Sequence, residues 1–299
     1  MILGSILSQV VAGLRMVLSY HRRAEQEIED ATYMENLPSD VIQAYRDLAG
    51  LSKYQHFVRI PDRIIQCIDY FGITGDRAVT KSRLLAYYLF IGVVDDAIDS
   101  GRIDAGRLVL EDLSTPAPLF DEEATRSSVR LITEILKSTI SDKTYPLMVD
   151  KLKELYSEVI GERGATSIDT YIEHRKSVGS LTAELSFVLI QTDLCGEHET
   201  LIRFMKQVGA IGCLVDSLLD LRDDRRRGLL GFKPRISDYA KLIICILRDG
   251  LRLSLRHPGL GGLFFRAVAD NVHDCFRAER GSPRHSFIAD RKDKAASVA

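Results

Sequence analysis

Six aspartates in two groups are the residues of this chain best placed to do chemistry. Asp95, Asp96 and Asp99 end the apolar run LLAYYLFIGVV. At 100° per residue, Asp95 and Asp99 fall about 40° apart on a helix, and Asp96 lies within an arc of about 100°. Asp216, Asp220 and Asp224 recur at four-residue steps after the apolar stretch VGAIGCLV, and Asp223 lies near the same face. Carboxylates gathered this way repel one another and are costly to bury unpaired. Such an oxygen-rich set suits Mg²⁺, which takes a few carboxylates and keeps waters that a phosphate can replace. Two apolar helices, each ending in an acidic face, resemble two walls of one cavity. Taken alone, the first group also reads as a solvated helix end with an acidic turn.

A third feature is YIEHRKSVGSLTAELS, in which Tyr171 and Arg175 stand one turn apart. Gly179 and Ser180 follow inside an otherwise good helical pattern, where Gly costs about 1 kcal/mol relative to Ala. They are expected to break the helix and free backbone groups to polarise a ligand. Arg175 offers a rigid two-pronged donor for a diphosphate. The alternative is a loop carrying a surface arginine. Of the basic run Arg225, Arg226 and Arg227, the last falls back toward the Asp216 face, while the first two read as exposed.

Positioning these groups falls to helices. Apolar residues recur at three- and four-residue steps at 82–94, 127–140, 145–160, 200–221 and 241–255. Breaks fall at Asn36-Leu-Pro-Ser, Phe71-Gly-Ile-Thr-Gly, Ser114-Thr-Pro-Ala-Pro and from Gly228 to Pro234. Alternating strand patterns are scarce. The expectation is an all-α, single-domain helical bundle of about ten or more helices over residues 1–280. A polar, mobile tail is expected at 281–299.

Composition removes several classes. The chain has 299 residues, 40 Lys+Arg against 42 Asp+Glu, and 45% hydrophobic residues, which excludes a wholly disordered chain and argues against a nucleic-acid binder. Five widely spaced cysteines with no CxxC read as free thiols in a reducing cytoplasm. The opening MILGSILSQVVAGLRMVLSY is interrupted by Gln9 and Arg15, so it fits an amphipathic helix on a core or a membrane surface better than a bilayer span. A peripheral contact through that helix and a homodimer both stay open.

The ordered set, from about Arg63 to Arg227, resembles the class I terpenoid (isoprenoid) synthase superfamily. The family's aspartate-rich motif is matched by Asp95, Asp96 and Asp99, and its second metal motif by Asp216, Asp220 and Asp224. The diphosphate-sensing arginine of its bacterial terpene cyclases is matched by Arg175, with Val178 as linker and Gly179 at the helix break. The resemblance implies an isoprenoid synthase fold around a central cavity and three Mg²⁺ ions between the acidic walls. It implies a cyclase that ionises an allylic prenyl diphosphate, closes the carbocation and releases diphosphate. Arg175, Gly179 and Tyr171 would serve catalysis, and Arg175 and Arg227 the diphosphate. Tyr87 and Phe187 would line the cavity, although plain core packing is the simpler role for both. The first-motif region is also similar to squalene and phytoene synthases. A prenyl transferase joining two prenyl diphosphates is therefore the second reading. A helical interaction protein with incidental acidic turns is the reading from outside enzymology.

Overall fold

Apolar periodicity of about 3.6 residues becomes helix almost wherever it occurs. The computed structural model describes residues 39–49, 54–103, 106, 107, 113, 120, 123–262 and 269. Within them lie helices α1 (Ser39–Ala49), α2 (Gln55–Tyr70), α3 (Arg77–Asp99), α4 (Glu123–Thr139), α5 (Tyr145–Gly164), α6 (Ile168–Ile190), α7 (Glu199–Arg227) and α8 (Ile236–Arg256). Two 3₁₀ turns, Gln191–Asp193 and Pro258–Leu260, follow α6 and α8. Among the described residues, the strands amount to Thr74–Gly75 paired antiparallel with Leu194–Cys195. The described residues are all-α and form one domain. The N-terminal apolar segment and the tail at 281–299 lie outside the described residues.

Local signals fix the helix ends. The Asp76 side chain accepts from the amides of Ala78 and Val79 at 3.0 and 3.1 Å and so starts α3. Ser167 does the same for α6 through Thr170 N at 3.3 Å. Gly228 ends α7 at φ 73°, a conformation that favours a residue without Cβ.

Helix α6 is the hub, packed against α3, α5 and α7. Its apolar side chains, including Tyr171, Ile172, Leu181, Leu185 and Phe187, join those of α3 in one continuous core. Helices α3 and α7 thus flank the same central helix, and their acidic C-terminal turns come to one end of the bundle. Among the described residues, no helix is long and apolar enough to cross a membrane.

Candidate functional site

The two acidic groups meet. Asp95 is raised to about 8, first by the crowding of protein around it, then by the charge of Asp99; Arg175 opposes this, and Glu162 and Asp216 add to it. Its side chain is nevertheless accessible to water. A group that is both accessible and crowded sits on a concave wall, so Asp95 faces a recess rather than open solvent. Asp224 is raised to about 7, again first by crowding, then by Asp220 and Asp99. Asp99 is raised by crowding, with Arg163, Arg227 and Arg175 pulling the other way. Charges on α3 therefore act on charges on α7, and Arg175 of α6 acts on both.

Arg175 is held from three sides. Its Nε donates to Ser217 Oγ at 2.7 Å, Nη1 to Glu162 Oε2 at 3.2 Å, and Nη2 to the Cys213 carbonyl at 3.3 Å. Glu162, at the end of α5, keeps only 13% of its side chain exposed. The guanidinium thus ties α5, α6 and α7 together at the floor of the acidic recess. Tyr171, one turn earlier, is fully buried with its hydroxyl beside Ser217. On the α3 side, Arg163 donates to Asp99 Oδ1 and to the Ile98 carbonyl, both at 3.2 Å. Asp96 accepts from the Tyr54 hydroxyl at 3.4 Å. Arg227 is exposed in the last turn of α7, close enough for its charge to act on Asp99.

No family model, curated protein or solved structure matches this chain.

Among the described residues, no three acidic, His or Cys side chains converge closely enough to hold one ion as they stand. The side chains present are nonetheless oxygen donors of the type Mg²⁺ takes. Carboxylates whose proton affinity is raised by crowding and by one another are also carboxylates whose repulsion a divalent cation relieves. Mg²⁺ needs only one or two carboxylates per ion beside water and phosphate.

One expectation is overturned. Gly179 and Ser180 do not break the helix: α6 runs unbroken from Ile168 to Ile190. A Cβ at Gly179 would stand 2.1 Å from the Gly209 carbonyl oxygen, and a Cβ at Gly209 would stand 2.2 Å from that of Gly179. The glycine marks a crossing where the backbones of α6 and α7 touch. Its helical hydrogen bonds stay intact, so it frees no carbonyl for a ligand. Ser180 adds a hydrogen bond to the Lys206 carbonyl at 3.1 Å across the same crossing.

Tyr87 and Phe187 stand in the core. Tyr87 is wholly buried and donates to the Thr182 carbonyl at 2.9 Å; Phe187 packs edge-on to His198, with ring centres 5.8 Å apart. Two grooves lie away from the aspartates. One, of about 380 Å³, runs between the start of α7 and the end of α8; another, of about 300 Å³, runs along α5, α6 and α7.

Glu162, Arg163 and Ser217 are the residues sequence reading missed. Ser217 follows Asp216 directly, and Glu162 and Arg163 sit together in the last turns of α5. No spacing links α5 to Arg175, because the contact depends on how α5 crosses α6.

The crowded acids make stability depend on pH. Their folded-state pKa values lie above the unfolded value of about 3.9. Between about pH 4 and pH 8 the folded protein therefore holds protons that the unfolded chain releases. Metal-free stability should fall as pH rises through that window. Mg²⁺ needs the ionised carboxylates, so it should raise the thermal midpoint more at pH 8 than at pH 5. Scanning calorimetry at the two pH values with and without MgCl₂ checks this; an equal effect at both would contradict it.

Proposed function

We propose that the protein is a magnesium-dependent class I terpene synthase that ionises an allylic prenyl diphosphate and cyclises the resulting carbocation. The observation that supports this most is the meeting of two acidic helix ends, on α3 and α7, around one half-buried arginine. Asp95, Asp96 and Asp99 would hold metal on one wall, and Asp216, Asp220 and Asp224 on the other. Bound there, Mg²⁺ would supply the charge neutralisation that turns a diphosphate into a leaving group.

The chain's own residues do the rest. Arg175 presents a rigid fork at the floor of the recess, and diphosphate oxygens would compete with Glu162 for its Nη1. Arg227 and Arg163, near Asp99, add positive charge at the rim. The apolar side chains of α3 and α6 behind the acids exclude water from a cationic intermediate. The reaction needs no protein nucleophile.

Incubation with geranyl, farnesyl and geranylgeranyl diphosphates plus Mg²⁺, followed by extraction and mass spectrometry, tests the proposal. One diphosphate released per hydrocarbon supports the cyclase, and two would indicate head-to-head joining of prenyl units. No product and no magnesium-dependent binding of a prenyl diphosphate analogue would favour a non-catalytic helical protein.

Arg175 gives a sharper test. Arg175→Lys keeps the charge and loses the fork, so it should cost about 1–3 kcal/mol of transition-state stabilisation. Arg175→Ala should cost more and also lower the thermal midpoint, because Glu162 is then left buried without its partner. Adding Glu162→Gln should restore the midpoint and leave turnover low. If Arg175→Ala turns over like wild type at saturating Mg²⁺, the arginine has no part in the reaction.

A further inference from the structure

Helix α8 carries a second apolar face beside the one it packs on the bundle. Leu242, Ile246, Gly250 and Leu253 are buried. Ile236, Ile243, Ile244, Leu247, Leu251 and Leu255 are 89%, 42%, 62%, 62%, 59% and 73% exposed. At 100° per residue these six side chains fill an arc of roughly 120°, and the helix carries them over about 30 Å. Single exposed aliphatics are ordinary, whereas a continuous stripe marks an interaction surface.

The edge of the stripe away from the bundle is basic. Lys241, Arg248 and Arg252 are exposed and occupy roughly the next 60° of arc. Lys241 is bonded to Asp169, and Arg248 to its neighbour Asp249. Exposed pairs of this kind hold their charges weakly. Arg252 has no counter-charge among the described residues. The acidic residues of α8, Asp238 and Asp249, fall further round the helix than Arg252, away from the stripe.

We propose that α8 docks the protein on the surface of an anionic lipid bilayer. Its aliphatic stripe would enter the acyl boundary, and Lys241, Arg248 and Arg252 would meet the acidic headgroups. An apolar face edged by cations is the pattern of a helix that lies in the plane of the interface. Each cation held near such a surface strengthens binding about fivefold. The helix rests on the bilayer and does not enter it lengthwise, since no helix among the described residues is apolar enough to cross. A second copy fits the charges less well. Laid antiparallel across the stripe, it would set its own basic edge against this one. The proposal is independent of the reaction proposed above.

The test is sedimentation of the full chain with vesicles of phosphatidylcholine, and of phosphatidylcholine mixed with phosphatidylserine. The protein should bind the mixed vesicles, and added salt should weaken that binding. Leu247→Glu with Leu251→Glu should weaken it about tenfold or more. The thermal midpoint should stay unchanged, because both side chains are exposed. Arg248→Gln with Arg252→Gln should weaken it about twenty-fivefold and flatten the salt dependence. Equal binding to both kinds of vesicle, or none to either, would overturn the proposal. So would wild-type binding by the glutamate variant, which would put the contact elsewhere on the chain. A lower midpoint in that variant would mean that the stripe is covered within the protein. A dimer in sedimentation velocity that the two glutamates dissociate would assign the stripe to a second copy. Either result would also overturn it.

Discussion

On the terpene synthase reading proposed above, Asp95→Asn should abolish diphosphate release and raise the thermal midpoint of the metal-free protein at pH 8. These opposite effects follow from the surroundings of Asp95: crowding by protein, then the charges of Asp99, Glu162 and Asp216, push its pKa up to about 8. At pH 8 the folded state holds an ionised or partly ionised carboxylate that its neighbours oppose. Asparagine has the same shape and no charge, so the opposition disappears. At pH 5 the wild-type group is already protonated, and the variant should melt like wild type. Turnover has the reverse requirement. A neutral amide cannot balance a divalent cation, and a loss of at least about a thousandfold, roughly 4 kcal/mol, is expected. The measurements are calorimetry without metal at both pH values and a diphosphate-release assay with Mg²⁺. Wild-type turnover would remove Asp95 from the metal site. A lower midpoint at pH 8 would mean that its charge is compensated in a way the surrounding charges do not suggest.

Gly179→Val destabilises the whole fold rather than a catalytic step. Any Cβ at this position would sit 2.1 Å from the Gly209 carbonyl oxygen, which belongs to the backbone of α7 and cannot turn aside. Helices α6 and α7 would have to separate, and α6 is the element that α3, α5 and α7 share. Overpacking of this kind costs about 3 kcal/mol. Gly209→Ala should behave alike, since its Cβ would meet the Gly179 oxygen at 2.2 Å. Ser180→Ala, which loses only the hydrogen bond to the Lys206 carbonyl, should cost about 1 kcal/mol. Urea unfolding of the three variants ranks these effects. Wild-type stability of Gly179→Val would refute the close crossing and leave the glycine free for another role.

The elements of the bundle were legible in the sequence because a helix is a local object. The apolar repeat at 82–94 becomes α3, that at 145–160 becomes α5, and that at 200–221 becomes α7, each between one and three turns longer than the repeat itself. The turns at Phe71-Gly72 and Gly228 fall where Gly adopts positive φ. Asp95 with Asp99, and Asp216 with Asp220 and Asp224, share a face by arithmetic alone.

The sequence could not decide what Gly179 is for. A glycine in a helical pattern reads equally as a break or as a close approach. The choice depends on Gly209, thirty positions on, whose carbonyl stands against it. Nor could it find Glu162 as the partner of Arg175, since that ion pair exists only because α5 crosses α6 where it does. The elevated pKa of Asp95 is only partly local: Asp99 stands one turn away on α3, whereas Glu162 and Asp216 add their charge from α5 and α7. Periodicity determines which residues share a face of one helix. Which faces meet is decided by packing among helices far apart in the chain, and the chemistry of this site depends on that meeting.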